Sequence, residues 1–116
     1  CPLRHVFGDG IYIREITMPA GLVLTSKIHK TTHPYFILEG EVSVLTEDGM
    51  VRIKAPYWGM TKAGTKRVLQ IHKKTIWVTV HATKETDIYK IEDDIIAKNY
   101  DELPERVRLE IEGVVQ

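Results

Sequence analysis

Between residues 10 and 83 the chain is a succession of short segments rich in β-branched and aromatic residues, each closed by a turn signal within a few residues. This rhythm constrains the fold more than any other feature, because a helix needs a longer run and a parallel α/β sheet needs helices between its strands. Residues 10–16 alternate and end at Met18-Pro19-Ala20-Gly21. Residues 22–28 and 35–38 read as the next strands. Residues 42–46 alternate, turn at Glu47-Asp48-Gly49 and return through residues 50–53. Residues 55–59 read as a loop and Lys62-Ala63-Gly64-Thr65 as a turn. Residues 68–72 and 75–83 read as a last hairpin around Lys73-Lys74. Strands this short and evenly spaced predict a mainly β sandwich or barrel.

The tail follows another period. From Thr86 to Asn99 the residues Ile88, Ile91, Ile95 and Ile96 recur at helical spacing. Asp101 is placed to cap a second short helix with Pro104 in its first turn, so that Leu103, Val107 and Ile111 share a face. The expectation is one domain over residues 1–116, with a barrel at about 10–83 and a helical tail at about 86–113 packed on it. Lys plus Arg and Asp plus Glu both number 16, so charge points neither to nucleic acid nor to an anionic membrane. No apolar run approaches the roughly 20 residues of a membrane span. A single cysteine and no visible signal peptide predict a cytoplasmic protein. That cysteine, Cys1, stands where Met is expected. It reads as a trimmed or disordered start, with an exposed reactive thiol as the sharper alternative.

Residues 21–71 carry the functional signal. Gly21, Lys27, His29, His33 and Gly40 keep the spacing G-x5-H-x-H-x3-E-x6-G, and Pro56, Lys62, Gly64, Arg67 and Ile71 keep that of G-x5-P-x-G-x2-H-x3-N. In this the chain resembles the cupin superfamily. The resemblance implies a cupin-like double-stranded β-helix barrel, here with one or two C-terminal helices. It also implies a mouth where three histidines and a carboxylate hold a metal. The residue types depart from that pattern: Lys27 stands for the first histidine, His33 for the glutamate and Arg67 for the last histidine. The run HPYFILEGEVSVLTEDG, followed by AP and AGTKRV, is similar to small cupin-like proteins of tailed phages. That likeness implies a place in the host cytoplasm and a role in sequestering a host signalling nucleotide.

The substitutions change the expected chemistry. Lysine ligates only when deprotonated, and arginine stays charged, so no resident cofactor is expected at these positions. Any divalent metal would have to use His29, His33 and His81, the last on a strand face shared with Trp77 and Thr79. The same residues suit an anion better. Lys27, His29, His33 and Arg67 are expected to converge on one cavity with Tyr35, Trp77 and His81 as further wall, binding a nucleotide, sugar nucleotide or sugar acid. The plain alternative is a barrel filled by its own side chains.

Two other classes stay open. An enzyme is one, either metal-dependent or like the superfamily's sugar epimerases and isomerases. Those use a histidine base and a tyrosine acid, here His29 or His33 with Tyr35 or Tyr12, and Asp9 or Glu15 as orienting carboxylate. A structural or assembly protein of a phage particle is the other. A homodimer is expected, joined through the tail helices or through a strand edge near residues 11–16.

Overall fold

The computed structural model describes residues 1–26 and 28–97. In chain order these form β1 (Leu3–Gly8), β2 (Ile11–Met18), β3 (Val23–Thr25), β4 (Ile28–His29), β5 (His33–Thr46), β6 (Gly49–Lys54), β7 (Tyr57–Thr61), β8 (Val68–Ala82), α1 (Ile88–Ile95) and β9 (Ile96–Ala97). All pairings are antiparallel. One sheet runs β1-β2-β8-β5-β6, with β3 also on β8 and β7 also on β5, while β4 and β9 form a separate pair.

Two long strands organise the fold. β8 pairs with β3 along its first half and with β2 along its second. β5 pairs with β7 along its first half and with β6 along its second. Where the two long strands face each other their register shifts between Ile37 and Val42. Gly40 sits in that bend with φ of 107°, a conformation that disfavours residues bearing a Cβ. The bend lets each strand serve both halves of the barrel. Inward positions from every part of it, Met18, Ile37, Val42, Ile53, Leu69 and Trp77 among them, meet in one core.

Several sequence-based expectations change. Residues 68–83 form no hairpin; β8 runs straight through Lys73 and Lys74. The reason is parity. A two-residue turn there would bring Ile71 and Ile76 to one face, whereas the buried positions, Leu69, Ile71, Thr75, Trp77 and His81, are all odd-numbered on both sides of the lysines. The expected loop at residues 55–59 holds only for its start, since Tyr57–Thr61 pairs with β5. The sheet begins at Leu3, ahead of residue 10, because β1 pairs with β2 along its whole length. β2 therefore has β1 on one side and β8 on the other, and the strand near residues 11–16 is not a free edge.

The first tail helix forms, though shorter than expected. Asp87 caps it, its Oδ1 accepting the Tyr89 backbone N–H at 3.0 Å. Ile91 is buried against Tyr12, so the apolar stripe packs on its own barrel there. The helix stops at Ile95, and Ile96–Ala97 pairs with β4 instead. The second tail helix, with Asp101, Leu103, Pro104, Val107 and Ile111, lies outside the described residues.

Candidate functional site

The barrel mouth is built by short elements tied to rigid ones. β4 carries His29 and is held on one side by β9. The His29 carbonyl also accepts the Gly64 N–H at 2.8 Å. His33 opens β5 opposite Thr61. Arg67 precedes β8 and is locked to Ser26 twice: the Ser26 N–H donates to the Arg67 carbonyl at 2.7 Å, and the Arg67 N–H donates to Ser26 Oγ at 3.0 Å. With its backbone fixed, the Arg67 side chain turns inward. Its guanidinium donates to Thr61 Oγ1 and lies 4.9 Å from the Tyr35 ring centre and 5.6 Å from that of Trp77.

His29, His33, Arg67 and Trp77 all line a cavity of about 220 Å³. Of the other expected site residues, His81 sits behind His33 with ring centres 4.3 Å apart and does not line the cavity. Tyr35 stacks on Trp77 at 4.8 Å but faces the other side of Arg67. There it lines a second cavity of about 330 Å³ with Tyr57. Lys27 lies outside the described residues. The structure adds residues that were not expected at the site: Arg14, and the hydroxyls of Thr25, Ser26, Thr61 and Thr79. Arg14 was legible in principle. It falls in parity with Tyr12, Ile16 and Met18, the inward positions of β2, and only its charge argues for an outward place.

Electrostatically the site is a low-dielectric pocket holding cations. His29 is pushed down to about 3, chiefly by burial and then by His33, His81, Arg67 and Arg14. His81 falls to about 4, again mainly by burial. Burial also lowers His33, with Arg67 adding to the effect, and it lowers Arg67 itself. The imidazoles are therefore neutral at pH 7. His33 Nδ1 donates to the Thr31 carbonyl at 3.1 Å, so its buried Nε2 carries a lone pair and has no partner. His81 Nε2 bonds Thr79 Oγ1 at 2.9 Å, and its Nδ1 is likewise buried and unpartnered.

Among the described residues no carboxylate lines the 220 Å³ cavity and none pairs with Arg67. The suggested orienting acids are elsewhere: Asp9 is exposed in the β1–β2 turn, and Glu15 pairs with Arg4 at 3.4 Å. Tyr12 bonds His5 Nδ1 at 2.5 Å on the far side of His81, removing it from the cavity as a catalytic acid.

Arg67 weighs against a divalent cation at these imidazoles. Arg67 lines the same cavity as His29 and His33, and a guanidinium beside a dication is repelled in a poorly screened pocket. Among the described residues no three of His, Cys, Asp and Glu are arranged to hold a metal ion.

No family model matches the sequence, and no curated protein does. Solved structures do. Ectoine synthase from P. lautus superposes with a TM-score of 0.65 at 15% identity, covering 79% of this chain and 70% of that one. An RmlC-like cupin from Methanocaldococcus jannaschii, described as a double-stranded β-helix, gives 0.56 at 17% identity over 71% and 81%. The chain has the cupin fold. A cupin-2 domain protein from Shewanella frigidimarina agrees, with a TM-score of 0.58 at 8% identity over 70% and 79%. Identities this low carry the cupin architecture and leave the chemistry to the residues.

Proposed function

We propose that this cupin-fold protein is a binding module for a small anion held in the 220 Å³ cavity. The observation that carries this reading is Arg67: a residue 9% exposed whose guanidinium lines the cavity with a hydroxyl and two aromatic faces for company but, among the described residues, no carboxylate. Burying a cation without a counter-charge is costly, and the rings offset only part of that cost. An anion on the guanidinium completes the site, and Arg14 adds a second positive charge from the cavity wall. Of the ligands considered from sequence, a nucleotide or sugar nucleotide is large for this volume, and a sugar acid comes nearest to it.

Native mass spectrometry of the purified protein tests for a carried anion, and calorimetry with small anions measures its affinity. Charge-assisted hydrogen bonds contribute about 1.5–3 kcal/mol, so Arg67→Gln is expected to weaken binding roughly 10- to 100-fold. Unchanged affinity in a folded Arg67→Gln protein overturns the reading.

A further inference from the structure

The wall of the cavity is graded, and the strand register shows in which direction. Along the inward face of β2 come Arg14, Ile16 and Met18, paired across to Thr79, Trp77 and Thr75 of β8. The first level is polar and cationic; the second is an isoleucine against an indole; Met18, fully buried, closes the third. On the opposite wall Leu24 of β3 pairs with Leu69 of β8, and both line the cavity. The cavity therefore has a polar end at Arg14, His29 and His33 and an apolar end at Ile16, Met18, Leu24 and Leu69. Arg67 stands at its side.

We propose that the ligand is a small carboxylate with an apolar body, an aryl or branched-chain carboxylic acid, rather than a sugar acid or a phosphate ester. This rests on the anion-binding reading above and narrows it. A dry cavity of about 150 Å³ takes a benzene ring. The 220 Å³ here therefore suits a ring of that size plus a short carboxylate arm. The carboxylate lies between Arg14 at the polar end and the Arg67 guanidinium at the side, and the body lies between Trp77 and the Leu24–Leu69 pair. A sugar acid would bring several hydroxyls to the side chains of Ile16, Met18, Leu24 and Leu69, which offer no hydrogen-bond partner, while the hydroxyls of Ser26, Thr61 and Thr79 are already bonded to Arg67 or His81. Each hydroxyl left unpaired weakens binding by roughly tenfold or more.

The test is calorimetry on the whole chain with four probes: phenylacetate, its neutral analogue 2-phenylethanol, glucuronate and inorganic phosphate. Phenylacetate is expected to bind with a negative heat-capacity change and at least tenfold more tightly than each of the others. Leu24→Ser, on the short strand β3, is expected to weaken phenylacetate severalfold and to leave phosphate unchanged. Tighter, Arg67-dependent binding of glucuronate or phosphate overturns this proposal while leaving the anion site standing. Equal binding of phenylacetate and 2-phenylethanol, or no binding of any probe, overturns both.

Discussion

His29, His33 and His81 are a closely packed set of imidazoles that the fold keeps uncharged. The unfolded chain has no such restraint, and its histidines titrate near 6.5. Below that pH the unfolded state takes up protons that the folded state refuses, so stability falls as pH drops from 6.5 towards the folded values of about 4 for His81 and about 3 for His29. His81 and His29 both weaken the fold across that window. Glu41, held low by Arg52, works in the same direction only below its ordinary value of 4.5. Urea unfolding at pH 7.5 and 5 is expected to show a clearly lower midpoint at pH 5; equal midpoints would mean that these rings are solvated. At this scale the sequence was partly legible. The odd series Trp77, Thr79, His81 placed His81 beside His33, because strand parity is local and periodic. The same parity rule pointed Arg14 inward, but its charge masked the signal, because a charged residue in an alternating strand ordinarily marks the wet face.

The bend shared by β5 and β8 is the element on which the barrel depends. Gly40 combines a positive φ with close packing: a Cβ there would lie 2.3 Å from Thr75 Oγ1 and 2.5 Å from the Lys74 carbonyl oxygen. Backbone in both strands blocks relaxation, so Gly40→Ala is expected to destabilise the protein by about 3 kcal/mol or more, read from denaturant unfolding. Gly49→Ala is the control. It has φ of 115° but open space around its Cβ, so it bears the conformational penalty alone. Equal losses in the two variants would place the Gly40 effect in φ rather than in packing. The same bend explains why β8 was read as a hairpin. Two lysines in a row between apolar runs look like a turn, yet here they ride the outside of a corner, Lys73 opposite Glu41 and Lys74 4.0 Å from Glu39. A corner of two paired strands leaves the same local composition as a hairpin. What separates them is which residues stay in phase afterwards.

At the scale of the molecule, the spacing of residues 21–71 was enough to identify the cupin architecture, because glycines and turns at fixed intervals set where the strands reverse. The chemistry at the mouth was harder to read, since it depends on contacts between segments far apart in sequence: Arg67 on Thr61, His33 on His81, and Arg14 from the second strand. On the proposed anion-binding reading, those contacts also link ligand and proton. His33 lines the cavity with a neutral ring whose buried Nε2 has no partner, and a bound carboxylate raises a histidine that burial and Arg67 have lowered. Binding is therefore expected to take up a proton, up to one per site, and affinity to rise as pH falls from 8 towards 6. Titrating phenylacetate in buffers of different ionisation enthalpy measures that uptake directly. The coupling also acts on the whole fold: a ligand that welcomes the proton stabilises the barrel most where the empty protein is weakest. The gain in melting temperature with saturating ligand should accordingly be larger at pH 5.5 than at pH 8. A gain that does not depend on pH would place the anion away from His33, on the guanidinium groups alone.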